Sequence, residues 1–412
     1  MMDNDGRRNS SRRLNMNEYP EPLDLRKIRV WPLQQRDSLS SADTLVREPS
    51  APSMPLSPAA ESSVSQCAQQ IVSRPKGASV MLVYGAHLVK NGAQRIVQRL
   101  LDGGWITHLA TNGAGTIHDW ELSYLGRTEE SVRNNVAKGC FGTWEETGRC
   151  IQLALLTGAL RGEGYGRSLG RFIEEDGTDL PDTESLRQSL RDAPEHPLAP
   201  ARAELLQTML VHGLKPGRVA VPHPWRHTSI VAAAHRLNVP LTVHPGIGYD
   251  IISNHPMFNG AVIGRAAALD FRLFGAAVEK LDGGVVLSVG SAIMGPQVFE
   301  KSLSCVNNLR LQQGRPVVRG HRICVVDIQD GGNWDWSAGE PPKSNPAYYL
   351  RFCKSYARMG GLMDYVQCDN VAFLRRLLDQ LESPKSEVRN PKCGRDSQDD
   401  GERAGSGPHI PK

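Results

Sequence analysis

The sequence predicts an α/β protein: a doubly wound, mostly parallel sheet of the Rossmann-like kind, with helices on both faces. Three observations predict it. Short β-rich runs punctuate the body of the chain, and several are apolar almost throughout, as strands covered on both faces are. Helical patterns with caps alternate with those runs, as in successive βαβ units. Nearly every run ends in glycine or in an Asp, Asn or His side chain, the residue types a parallel sheet gathers at its carboxyl edge.

Composition bounds the problem. The chain has 412 residues, 40% hydrophobic and 22% charged, with a formal net charge of +4. That charge is small for the length, and no basic face with interleaved aromatics is present, so no nucleic-acid partner is expected. No apolar run suits a bilayer and the N-terminus lacks a signal-peptide core, so no membrane association is expected and the cytoplasm is the expected location. The eight cysteines are scattered without a CxxC pair, which fits reduced thiols. Residues 1–76 are rich in Ser, Pro and Arg and are expected to be mostly a disordered arm, although Leu23–Leu33 carries enough Leu, Ile, Val and Trp to pack on a surface. Residues 77–382 form the expected body, and 383–412 a disordered tail.

The expected strands, in order, are Ser79–Val83, Ile106–Ala110, Arg218–Val221, Pro240–Val243, Gly284–Val289, Arg322–Ile328 and Leu362–Val366. Thr143-Trp-Glu-Glu146 reads as a capping box that opens a helix to about Leu160. Asn345-Pro346 and Asp369-Asn370 read as caps followed by helix starts. The segment of about 142–214 reads as mainly helical, an insertion or a layer on the sheet.

Ligands of open parallel sheets bind outside the carboxyl ends of the strands. The turns there are Tyr84-Gly-Ala-His87, Thr111-Asn-Gly-Ala-Gly115 with His118-Asp119, His244 to Asp250, Gly290-Ser291-Ala292, Gln329 to Trp336, and Gln367 to Asn370. Each alone is as well explained as a turn. Together they suggest a nucleotide-type site. His223 and His227 have the i,i+4 spacing of metal ligands, but Pro224 and Trp225 intervene and no adjacent Glu accompanies them. No metal is assigned.

With these residues laid out, the body resembles the deoxyhypusine synthase family. The resemblance rests on "GAHLVKNG", "ITHLATNGAGTIHD", "SIVAAAHRLNVPLTVHPGIGYD", "AALDFRLFGAAVEKLDGGVVLSVGSA" and "LMDYVQCDNVAFLRRLL" in that order, and leaves 142–214 poorly matched. It implies an NAD-dependent transferase that oxidises spermidine, captures the butyl imine on an enzyme lysine, and passes it to a protein lysine or a second polyamine. It also implies a homotetramer. By this resemblance His87, Thr111, Asn112, Gly113, Gly115, Gly290, Ser291, Asp369 and Asn370 approach NAD. Asp119, Asp250 and Asp335 would position a cationic amine; Trp336 would stack on it, or the Asp335–Trp336 pair is an ordered loop with a buried indole.

The sequence departs from the family on the transfer chemistry. No Trp-Gly-Lys run occurs in Ser344–Tyr356, where Leu350 or Arg351 stands in the lysine's place. Lys354 is then the candidate nucleophile and His118, standing where the family carries an acid, the candidate acid or base. Three readings follow. The first is an NAD-dependent transferase acting on a polyamine or related amine, with little or no deoxyhypusine synthesis. The second is a non-catalytic or regulatory NAD-binding relative. The third and weakest is a metal-dependent hydrolase using the histidines.

Overall fold

A computed structural model describes residues 20–52 and 54–383. Its centre is a six-stranded, wholly parallel sheet, and the chain winds around it as alternating strands and helices. In chain order the main elements are α1 (Pro58–Ser73), β1 (Val80–Tyr84), α2 (Gln94–Asp102), β2 (His108–Asn112), α3 (Gly113–Leu125), α4 (Glu145–Ala159), α5 (Tyr165–Glu174), α6 (Ile230–Arg236), β3 (Leu241–His244), α7 (Gly260–Glu279), β4 (Val285–Val289), α8 (Met294–Gln312), β5 (Arg322–Asp327), α9 (Arg351–Ala357), β6 (Leu362–Gln367) and α10 (Asn370–Glu382). The strands lie side by side in the order β3-β2-β1-β4-β5-β6. This is the doubly wound order, with its reversal between β1 and β4.

The strands are apolar throughout because both faces are covered. Val80, Leu82 and Tyr84 of β1 enter one core together with α1, α2 and α10 side chains such as Ile71, Val97 and Leu377. Met81 and Val83 enter the other core, against Phe274 of α7 and Phe299 of α8. The period of two in β1 therefore divides its side chains between two helical layers.

Six of the seven expected strands belong to this sheet. The seventh, expected at Arg218–Val221, forms Gly217–Ala220 but pairs antiparallel with Gly177–Leu180 in a separate ribbon. Its side chains are mostly exposed, which removes the double burial that would draw it into the central sheet. The segment 142–214 is mainly helical, with α4, α5 and the helices Thr183–Asp192 and Ala199–Val211.

Two expectations are corrected. Residues 20–76 are not a loose arm. Val64, Cys67 and Ile71 of α1 are fully buried, and Leu33 is too. The apolar i, i+3, i+7 spacing of those three α1 residues outweighs the polar average composition around them. Thr143–Glu146 does not form a capping box: its threonine hydroxyl donates to the carbonyl of Cys140, and Glu146 accepts the main-chain N–H of Leu33 at 2.6 Å. The glutamate thus satisfies the incoming N-terminal segment rather than its own helix. The remaining N-terminal residues, 1–19, and the expected tail from 384 lie outside the described residues. Among the described residues no helix is long and apolar enough to cross a membrane.

Candidate functional site

The crossovers from β1 and β4 leave on opposite faces. Ile96, Val97 and Leu100 of α2 pack in one core, whereas Phe299, Leu303 and Val306 of α8 pack in the other. The turns after β1 and β4 therefore flank the point where a doubly wound sheet opens a ligand crevice. Gly85 and Gly290 meet there. A Cβ on Gly85 would collide with the carbonyl oxygen of Gly290. Gly290 itself has φ +60°, and a Cβ on it would sit 2.7 Å from the Asn370 side-chain nitrogen. Bare backbone is the only surface that fits this junction.

Two polar groups frame the junction. The Ser291 hydroxyl oxygen accepts the main-chain N–H of Gly295 at 3.0 Å, which leaves its own hydrogen to donate. The Asn370 carboxamide is buried and makes no hydrogen bond among the described residues. Asp369 beside it is committed to capping α10, accepting from Val371 and Ala372 at 2.9 and 3.0 Å. His87 is exposed on the short helix Ala86–Lys90 that follows β1. Of the residues expected to contact NAD, the structure thus gathers Gly290, Ser291, Asp369 and Asn370, and adds Gly85.

The turn after β2 is built differently from expectation. Asn112 caps α3 by accepting from Gly115 at 2.9 Å. The Asp250 carboxylate packs directly on Gly113, accepts from Gly246 at 2.8 Å, and accepts the main-chain N–H of Ala114. The position an anionic ligand group would take at the start of α3 is filled by the protein's own carboxylate. Thr111, Gly113 and Gly115 are buried in this join. Burial pushes the Asp250 carboxyl up to about 6.

Asp119 is also structural. It accepts from the Ser229 hydroxyl, from Ile230 N–H at 2.7 Å and from Val231 N–H at 3.4 Å, and so caps α6. Its burial pushes it up to about 6. A third buried carboxylate escaped sequence reasoning. Asp270 accepts from Val243 N–H at 2.8 Å and Gly166 N–H at 3.1 Å, tying edge strand β3 to the start of α5. Burial pushes it up to about 7. The signal was available: Asp270 stands between Ala266 and Phe274 on the apolar face of α7, all three buried.

His118 lies in a network that faces the N-terminal segment. Thr128 donates its only hydroxyl hydrogen to Glu121 at 2.7 Å. At its 2.7 Å contact with His118 Nδ1 the threonine oxygen must therefore accept. The Nδ1 atom carries the hydrogen and Nε2 keeps its lone pair. Burial lowers the imidazole's pKa and favours this neutral form. Glu121 is gripped by both terminal nitrogens of Arg36 at 2.7 and 2.9 Å and by the Thr147 hydroxyl at 3.0 Å. Sequence reasoning missed Arg36, which lies in the segment expected to be loose.

The remaining candidates are dispersed. Lys354 stacks its ammonium 3.6 Å from the Tyr348 ring centroid, while its neighbours Phe352, Cys353 and Tyr356 form the buried face of α9. Trp336 is buried with its indole N–H on the Gly331 carbonyl at 3.0 Å, so it is not free to stack on a ligand. Trp334 and Asp335 line a cleft of about 660 Å³ beside the end of β6. His223 is buried against Trp120, Tyr124 and Phe172, and burial lowers it to about 4. Among the described residues no group of three His, Cys, Asp or Glu side chains is placed to hold a metal.

A cavity of about 530 Å³ reaches Asp369, the residue before Asn370. Its walls come from the N-terminal segment (Leu45, Arg47, Pro52), from Lys90 after β1, and from Asp369 and Arg375 of the α10 start. Asp369 links it to the β1/β4 junction, because the next residue touches Gly290.

No protein-family model and no curated protein matches the chain. Among solved structures it is similar to the arginine dihydrolase ArgZ from the ornithine-ammonia cycle in cyanobacteria, with 15% identity, coverage of 78% of this chain and 33% of that one, and a TM-score of 0.36. It is similar to AgrE in a ternary complex with ornithine and NAD+, with 14% identity, coverage of 80% and 34%, and a TM-score of 0.38. It is also similar to a candidate deoxyhypusine synthase from Entamoeba histolytica, with 10% identity, coverage of 78% and 87%, and a TM-score of 0.35. The chain spans about one third of the length of the ArgZ and AgrE chains. Likenesses this slight transfer no activity or ligand, and the α/β fold stands on the sheet itself.

Proposed function

We propose that the chain binds NAD at the β1/β4 junction, as a divergent relative of deoxyhypusine synthase whose substrate is a polyamine or related amine. The observation that carries the reading is the β3-β2-β1-β4-β5-β6 order with two glycines meeting at its reversal. A doubly wound sheet takes a dinucleotide at the carboxyl ends of its strands, where the strand order reverses. The Ser291 hydroxyl and the Asn370 carboxamide are the donors that would hold it. NAD, when bound, supplies a hydride acceptor. Calorimetric titration of the full chain with NAD tests the proposal: saturable heat with a rise in melting temperature is expected, and neither heat nor shift refutes it.

A second reading, an NAD-binding relative without transfer activity, is favoured by specific contacts. Lys354 is stacked on Tyr348, and Asp119 and Asp250 are spent on helix caps. The two readings separate on turnover. NAD reduction by spermidine that is lost in Lys354→Ala supports the transferase; NAD binding with no reduction by any of a panel of amines supports the second.

A further inference from the structure

We infer that the N-terminal segment supplies a ligand-binding residue, Arg47, which meets a phosphate of the dinucleotide in the cavity that reaches Asp369; this rests on the NAD reading above. All but one of the charged side chains around that cavity are engaged by partners. Lys90 pairs with Glu129 at 2.7 Å. Arg375 pairs with Asp379 and also donates to the Ala51 carbonyl at 3.3 Å. Of the acids, Asp369 is engaged by two N–H groups of α10, and Glu48 faces Arg95 at 3.6 Å. Arg47 alone among these cations has no carboxylate partner among the described residues. One unspent guanidinium in the cavity that reaches Asp369, next to Asn370, is suited to an anionic oxygen pair, which Arg can grip with two parallel donors.

The position of Arg47 is set by its main chain. Its N–H donates to the Gly92 carbonyl at 2.9 Å. Gly92 has φ +86°, and a Cβ on it would collide with the carbonyl of Leu45. The segment therefore runs against the turn after β1 at a place only glycine allows. Downstream, the Arg375 bond to Ala51 holds the other end. The side chain of Arg47 is exposed, so its replacement should leave the fold intact.

The test uses the full chain. NAD is titrated calorimetrically into wild type, Arg47→Gln and Arg47→Lys at low and high salt, with thermal melts of each protein alone. Weakening of about tenfold or more in Arg47→Gln, partial recovery in Arg47→Lys, and a flatter salt dependence in Arg47→Gln are expected. NAD should also slow tryptic cleavage after Arg47 in the wild type. Equal affinity in wild type and Arg47→Gln overturns the inference and leaves NAD binding standing. Absence of NAD binding by the wild type overturns both.

Discussion

Arg36 and Glu121 form an ion pair with both side chains about 1% exposed, and their separation in sequence hides it. Removing one partner leaves a buried charge without compensation. Arg36→Ala is expected to destabilise the protein by about 3–5 kcal/mol, measured by urea denaturation. A double replacement with apolar residues should recover part of that loss, because the desolvation of both charges goes with it. Asp270 gives a pH signature. Its folded pKa of about 7 lies above the unfolded carboxylate range. Between about pH 4 and 7 the folded chain keeps a proton that the unfolded chain has released, so this group's contribution falls as pH rises through that window. Below it the group is neutral in both states and the penalty vanishes. His108 and His244, lowered by burial to about 3 and about 4, act in the opposite sense below pH 6.5. The comparison therefore needs Asp270→Asn: its stability should rise relative to wild type by about 1.4 kcal/mol per pH unit across the window. A constant offset at all pH values would contradict the assignment.

At the scale of elements, α1 carries the largest revision. Serine, proline and arginine dominate the averages over the first 76 residues. Yet Val64, Cys67 and Ile71 recur on one face of α1 and are sealed against the sheet layer that holds Leu377 and Leu381. Burying a Val or Ile side chain contributes about 1.5–3 kcal/mol, against a total stability of about 5–15 kcal/mol for a typical domain. A chain starting at residue 77 is therefore expected to be insoluble or to melt far below one starting at residue 20. Matched melts of both would show it, and equal melting temperatures would mean that α1 is dispensable. The central strands were legible because a doubly covered strand must be apolar on both faces, as Val80–Tyr84 is. The strand at Gly217–Ala220 was legible as a strand but not as a member of another sheet, since pairing partners so far apart leave no local trace. The candidate site was legible only in part. Gly290, Ser291 and Asn370 sit together because sheet order brings them together. Asp119 and Asp250 look like ligand carboxylates in sequence, but cap helices that arrive from more than a hundred residues away.

For the whole molecule, the sheet order matters more than any single turn. Four of the six strands have neighbours on both sides within a two-layered helical cover, and β1 and β4 have almost no exposed side chain. Amide exchange should accordingly be slowest in β1 and β4, and much faster in the exposed ribbon Gly217–Ala220. Comparable protection in the ribbon and in β1 would contradict this architecture. The same order predicts where a dinucleotide lies. The most direct measurement is a crystal structure of the full chain with NAD. Diphosphate density is expected against the backbone of Gly85 and Gly290, within reach of Ser291 and Asn370. NAD bound elsewhere on the protein, with that junction empty, would contradict it.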